Sequence, residues 1–238
     1  MSYSSMWRTR RHRLHPWELE PDEATFLQSQ LRERLVLTWD DRSVTSIGGA
    51  DVGFVGDHAC AAIVVFRYPD MTPLSAVTAV GSLAFPYTPG LLAFREGPII
   101  LSAWDRLPFK PDLLMFDGQG IAHPRGFGMA SQMGLWLEMP TIGVAKSRLY
   151  GCHVEVGPFL GDQSDLKDEH NPAHIIGAVV RTREKSKPLY ISPGHLIDLR
   201  NAVTFVRACC HGYRLPEPTR WAHKISIGGD LPLECRTQ

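Results

Sequence analysis

The sequence predicts an α/β fold built around a mixed sheet, and two observations carry that expectation. The first lies between Pro111 and Gly151. An apolar run from Leu113 to Phe116 stops at Asp117 and turns through Gly118 and Gly120. A helical stretch follows, with Phe127, Ala130, Met133, Gly134 and Leu137 on one side, and a second apolar run, Thr141 to Ala145, stops at Lys146. This is the pattern of a strand, a crossover helix and a parallel strand. Such crossovers are right-handed and usually join neighbouring strands, so Asp117 and Lys146 should emerge at one sheet edge. That is the carboxyl edge, where open α/β sheets place ligands. The second observation is a set of three β-like runs upstream: Val44 to Phe54, Ala59 to Tyr68 and Leu74 to Phe85. Turn signals at Gly56-Asp57 and Pro69-Asp70 separate them, so they read as an antiparallel meander.

The remaining elements follow in order. Asp22 to about Leu37 reads as an amphipathic helix with Phe26, Leu27, Leu31 and Leu35 on its apolar face, and Leu91 to Leu107 as another helix. Gly157 to Pro172 is polar and contains glycine, which suggests a surface loop. Ile175 to Val180 and Leu189 to Ser192 form a strand pair around a charged turn, Arg181 to Lys187. Helices from Leu196 to Cys210 and from Glu217 to Lys224 close the chain. No repeat or linker splits it, so residues 1–238 read as one domain, with 1–20 a flexible basic tail.

Composition bounds the function. Twenty-five basic residues balance twenty-five acidic ones. Net charge therefore neither supports nor opposes nucleic-acid binding, since a local basic cleft can coexist with neutrality. The five cysteines are odd in number and lack zinc-type spacing, and adjacent Cys209 and Cys210 read as buried thiols. A reducing compartment and a cytoplasmic location fit. No apolar stretch reaches membrane-spanning length, and no apolar h-region follows the basic start.

Three acids sit among apolar or glycine neighbours: Asp51 in IGGADVGF, Glu96 in LLAFREGP and Asp117 in LLMFD. A buried carboxylate needs a cation, a proton or strong donors. Alone, each is explained by a turn, a cap or a salt bridge, and Arg95 with Gly97-Pro98 could simply mark a helix boundary beside Glu96. Three acids at one sheet edge would instead suit hard divalent cations acting on a phosphodiester. His123 follows the glycine turn, where it could reach a phosphate or simply bond to backbone. Lys146 could neutralise a phosphate or snorkel. In Phe85-Pro86-Tyr87-Thr88-Pro89-Gly90, two prolines stiffen a loop around an aromatic. Tyr87 is either a packing residue or a wedge presented to a base stack.

The blocks GGADVGF, FPYTPGLLAFREGP, KPDLLMFDGQGIAHPRGFGMAS, MPTIGVAKSRLYG, ISPGH and LPEPTRWAH resemble the endonuclease V family over roughly Ile47 to Lys224. The resemblance implies a ribonuclease H-like fold, a mixed central sheet with helices on both faces. It also implies a Mg²⁺- or Mn²⁺-dependent endonuclease that recognises deaminated bases, above all hypoxanthine. Such an enzyme hydrolyses the second phosphodiester bond 3′ to the lesion and leaves 3′-hydroxyl and 5′-phosphate ends. Carried over by position, Asp51, Glu96 and Asp117 become metal-binding acids, while His123 and Lys146 assist the phosphate and the attacking water. Tyr87 becomes the wedge, and Pro89, Gly90, Leu92, Gly118 and Gly120 accommodate the extruded base. His223 stands where some members carry an acid and others histidine, so a metal contact is implied there but not a fourth carboxylate. Thr88 departs from the aliphatic residue expected in the wedge loop.

The implied chemistry is metal-assisted hydrolysis without a covalent intermediate, since no nucleophile-elbow serine or strong Cys-His pairing competes. The expected partner is DNA carrying deaminated bases, with no membrane and no obligate protein partner. Three other readings stay open. One is the same chemistry on inosine in RNA. The second is a nuclease domain of the same fold for incision of bulky lesions, although such a domain would not need the FPYTPG wedge. The third is a nucleic-acid-binding protein of the same fold that has lost catalysis.

Overall fold

The computed structural model describes residues 14–55 and 58–230. Within them, eight strands form one mixed sheet in the order β3-β2-β1-β4-β5-β8-β7-β6. The elements are α1 (Pro21–Arg32), β1 (Ser46–Val55), β2 (His58–Arg67), β3 (Pro73–Gly81), α2 (Leu92–Asp105), β4 (Leu113–Phe116) and α3 (Met129–Leu137). They continue with β5 (Thr141–Ala145), β6 (Gln163–Lys167), β7 (Ile175–Val180), β8 (Leu189–His195), α4 (Leu199–Ala208) and α5 (Glu217–Ser226). Strands β1, β2 and β3 form the antiparallel meander, and β1, β4 and β5 run parallel. The expected turn at Gly56-Asp57 lies outside the described residues.

Alternation along the central strands builds a core on each side of the sheet. Ala61, Ile63 and Val65 of β2 pack with Leu114 and Phe116 of β4 under α2 and α3. Their neighbours Ala62, Val64 and Phe66 pack with Leu113, Met115 and Ile142 under α4 and α5. Helices thus cover both faces, which gives the ribonuclease H-like layering expected from the family resemblance. No helix among the described residues is long and apolar enough to cross a membrane.

Several expectations are corrected. The first helix ends at Arg32 rather than near Leu37, because the chain then turns to dock on β8: His195 Nδ1 accepts from the Val36 amide, and the Leu196 amide donates to Val36 O. Its buried residues are Ala24, Gln28 and Leu31, while Phe26 is exposed. The polar segment Gly157 to Pro172 is not wholly loop. It contains β6, an edge strand paired antiparallel to β7, whose only fully buried side chain is Leu166. A strand wetted along most of its length carries little hydrophobic signal. Residues 1–13 of the expected tail lie outside the described residues, but 14–20 are packed rather than loose. His15 is buried against Trp17, Phe94 and Trp136. Cys209 is buried as expected, and its partly buried neighbour Cys210 has its thiol pushed up to about 12, first by burial.

Glycines in β1 let α5 come close to the sheet. A Cβ at Gly49 would stand 2.1 Å from the Pro218 carbonyl carbon and 2.2 Å from its oxygen. Both are rigid backbone atoms of the first turn of α5, so no side-chain rotation can make room. Gly49→Ala should therefore destabilise the protein by about 1–3 kcal/mol, the usual cost of overpacking. Chemical denaturation measures this directly, and an unchanged midpoint would show that α5 yields freely.

Candidate metal centre and base cleft

The register of β1 on β4 creates the site. Ala50 pairs with Phe116 in the parallel ladder, and the Asp117 amide donates to Ala50 O at 3.2 Å. The next residues, Asp51 and Asp117, are therefore side by side at the carboxyl edge. Both follow the alternation that points toward the α5 face. There His223 Nδ1 lies 2.9 Å from Asp51 Oδ2, and Ser226 Oγ donates to the same oxygen at 2.9 Å. Asp51, Asp117 and His223 each offer one ligand atom, and these atoms all lie within 4.8 Å of one another. Two carboxylates and an imidazole in that space fit a divalent cation, with the oxygens suited to a hard ion.

Glu96 belongs to α2, on the opposite face, and lies outside that tight trio. It still feels both aspartates. Burial first, and then repulsion from Asp51, pushes its carboxyl up to about 8, against the pull of Arg95. The helix runs straight through Gly97-Pro98 instead of ending there, because Ala93, Phe94, Ile99 and Ile100 bury its apolar face. Lys146, delivered by the end of β5, forms an ion pair with Asp117. Burial raises the Asp117 carboxyl nonetheless, with Lys146 opposing it.

A cleft of about 360 Å³ begins at this edge. Asp117, Gly118 and Lys146 form one side, and Tyr87, Pro89, Gly90 and Leu92 form another. Tyr87 is 74% exposed, so the alternative of a packing residue does not hold. The loop is held instead by Phe85, which is buried against Phe94 and whose carbonyl accepts from Arg95 Nη1 at 2.6 Å.

Two residues expected at the ligand are used differently. The amide of Gly120 donates to Ser192 Oγ at 2.8 Å, and a Cβ on Gly120 would stand 1.9 Å from Pro193 O. This glycine serves close packing on β8, not the wall of the cleft. His123 is buried, and both ring nitrogens are engaged by protein: Nε2 lies 2.9 Å from Gly90 O, and Nδ1 is 3.1 Å from the Arg125 amide. It lines the cleft, yet its polar atoms are committed to backbone.

Two residues near the acids were invisible in the sequence. Ser226 ends α5 one turn after His223, a spacing that means something only once α5 is known to lie over Asp51. Arg214 donates to Lys146 O at 2.6 Å and Pro188 O at 2.9 Å, anchoring the strand end that presents Lys146. It sits in a segment without periodicity, so nothing local marks it.

The comparisons with known proteins agree over most of the chain. A family model described as Endonuclease V matches residues 29–224. An endonuclease V of Methanothrix thermoacetophila is 46% identical over 214 residues, covering 90% of this chain and 94% of that protein. The crystal structure of endonuclease V from Streptomyces avermitilis superposes with a TM-score of 0.81 at 38% identity, covering 88% of this chain and 92% of the other. A Ciona intestinalis endonuclease V, bound to DNA containing an inosine followed by a ribo-adenosine, superposes with a TM-score of 0.72 at 28% identity. That match covers 86% of this chain and 95% of the Ciona chain.

The raised carboxyl of Glu96 has a consequence for stability. The folded, metal-free protein holds this proton more tightly than the unfolded chain does, whose ordinary value is 4.5. Its contribution is thus complete below that value and is lost as pH rises through about 8. Glu96→Gln should therefore stabilise the metal-free protein at pH 9 by at least about 1 kcal/mol, since each tenfold change in proton affinity is worth roughly 1.4 kcal/mol. At pH 4 the two proteins should differ little. Urea denaturation in EDTA at both pH values checks this, and equal midpoints at pH 9 would remove the repulsion from the account.

Proposed function

The chain belongs to the endonuclease V family, and from that membership and its acidic cleft we propose a divalent-metal-dependent endonuclease acting at deaminated bases, above all hypoxanthine. The observation that carries the reading is one continuous cleft whose walls hold Asp117 and Lys146 as well as an exposed aromatic loop. Phosphate chemistry and base extrusion are thereby served at adjacent points.

Asp51, Asp117 and His223, with Glu96 beside them, would hold Mg²⁺ or Mn²⁺. An ion there supplies positive charge that stabilises in-line displacement at phosphorus. Lys146, paired with Asp117, keeps a compact cation where a phosphate oxygen enters. Tyr87 fills the gap that the extruded base leaves in the stack. Pro89, Gly90, Leu92 and Gly118 wall the space that receives the base, and His123 backs it. Hypoxanthine differs from adenine at its hydrogen-bonding edge, which backbone N–H and C=O groups near the two glycines can read. The scissile bond in this proposal is the second phosphodiester 3′ to the lesion, with 3′-hydroxyl and 5′-phosphate products.

A second reading, inosine-directed cleavage of RNA, is favoured by one observation: the nucleic acid in the Ciona complex carries a ribonucleotide directly after the inosine. Matched DNA, RNA and single-ribonucleotide substrates separate the two. The primary test uses end-labelled duplexes with inosine or adenine, with and without Mg²⁺, and maps the cut. Cleavage that ignores either the inosine or the ion would overturn the proposal.

Asp117→Asn should abolish cleavage and leave inosine-DNA binding largely intact, because it removes a metal-holding charge and spares the loop. Lys146→Ala should slow cleavage less than the acid change. Near-normal single-turnover rates for Asp117→Asn in Mg²⁺ would contradict the metal assignment.

Tyr87 should matter through stacking. Losing an aromatic stack worth about 1–3 kcal/mol should weaken duplex recognition roughly tenfold to a hundredfold in Tyr87→Ala. Inosine in a single strand, with less stacking to break, should suffer less, and Tyr87→Phe should keep most activity. With the side chain so exposed, the melting temperature should hardly move. Equal losses on both substrates would rule out the wedge.

A further inference from the structure

We propose that Gln28, His123 and Arg125 form a buried latch on the Gly90 carbonyl that positions the Tyr87 loop, and that they act through this loop rather than on the phosphate. The proposal rests on the functional reading above and adds the device that sets its base-recognition loop.

Three donors from two distant parts of the chain converge on Gly90 O. Gln28 Nε2 donates at 3.0 Å, Arg125 Nη2 at 2.9 Å and His123 Nε2 at 2.9 Å. Helix, crossover loop and wedge loop are joined at one oxygen. The other polar side-chain atoms of Gln28 and His123 are also used. Gln28 donates its other amide hydrogen to Phe127 O at 3.1 Å, and its Oε1 accepts from Arg125 Nε at 2.5 Å. His123 Nδ1 accepts from the Arg125 amide, so the neutral ring must carry its proton on Nε2, facing Gly90. Burial, and next the charge of Arg125, lowers the His123 imidazole to about 4, which keeps that tautomer neutral at physiological pH.

The residue types make sense only if the loop is what they serve. Gln28 is 1% exposed on a helix whose other buried residues are Ala24 and Leu31, and an amide is expensive there unless fully bonded. Gly90 has φ +80, the left-handed region, and a Cβ on it would stand 2.6 Å from Arg125 Nη2. The latch thus depends on a glycine at the one place where the loop meets the arginine. Phe85 is already pinned by Arg95 at the other end of the loop. Between the two anchors Tyr87 projects into solvent on a short, doubly fixed arch stiffened by Pro86 and Pro89. A fixed arch spares the ordering cost of closing on the substrate, which appears in binding rather than in the chemical step.

The test is Gln28→Met in the full-length protein, which keeps volume and removes the donor to Gly90 O, the donor to Phe127 O and the acceptor for Arg125. Amide hydrogen exchange of the Tyr87–Leu91 peptide in the free protein should accelerate, while peptides of β4 and α3 exchange as before. With inosine duplex and Mg²⁺, KM should rise about tenfold, as expected for losing a buried hydrogen bond that holds the loop, and kcat should change less than twofold. Arg125→Met carries the same expectations and serves if Gln28→Met does not fold. Unchanged exchange with unchanged KM would overturn the latch. So would parallel losses in kcat, KM and melting temperature, which describe a merely structural amide. If the wild-type protein fails to cut inosine DNA, the functional reading falls, but the exchange experiment still decides the latch by itself.

Discussion

Everything at the site depends on two carboxylates being forced together by a strand register. Once Ala50 pairs with Phe116, Asp51 and Asp117 must share the sheet edge, and apolar packing under both faces fixes that pairing. The hydrophobic core therefore imposes an electrostatic cost that neither acid can escape locally. Positive and polar groups gather in response: Lys146 on Asp117, and His223 with Ser226 on Asp51. Like charges held close in a poorly solvated place are tolerated when a cation, a proton or strong donors compensate them. The proton on Glu96 and the donors around Asp51 are the compensation available without metal.

Close approach is the second requirement, and glycine meets it at a few points. Without a side chain at Gly49, the first turn of α5 can lie on β1, and its last turn then delivers His223 and Ser226 to Asp51. Gly120 plays the matching part across the sheet. Its lack of a Cβ lets the loop after β4 rest on Pro193, so that Asp117 and Gly118 are carried by a supported turn. The cleft and internal packing thus divide the glycines of a single turn, Gly118 facing the cleft and Gly120 facing the protein.

That division shows what a sequence can and cannot reveal. The strand–helix–strand unit from Leu113 to Ala145 was legible because burial on both faces yields unbroken apolar runs, and the meander was legible from its turn signals. That Asp117 and Lys146 share an edge followed from topology alone, since parallel neighbours end at the same edge, whereas their ion pair did not. Edge strand β6 was hidden because a wetted strand has the composition of a loop. Gly120 and His123 were legible as unusual residues but not as to purpose: a glycine needed for a ligand and one needed for packing look alike, and so do a histidine aimed at phosphate and one aimed at a carbonyl. Gln28 was the least legible of all. Its meaning lies in partners 62 and 99 residues away, and no local pattern encodes a contact at that range.

The two halves of the cleft are built on opposite principles, and the contrast explains how they work together. The Tyr87 loop is pinned at both ends, its Phe85 carbonyl by Arg95 and its Gly90 carbonyl by Gln28, His123 and Arg125. The acid cluster is left wanting charge: burial first, and then repulsion from Asp51, raises the Glu96 carboxyl to about 8. Under the proposed function, a cation held by Glu96 with the aspartates would have to displace the carboxyl proton, so ion binding and proton release would be linked. On the same proposal, rigidity of the loop that meets the base would spare ordering cost, and unmet charge at the acids would create affinity for an ion. A protein that satisfied both halves internally would hold its shape and bind nothing, whereas one that left both unsatisfied would lose the geometry that brings lesion and scissile bond into register.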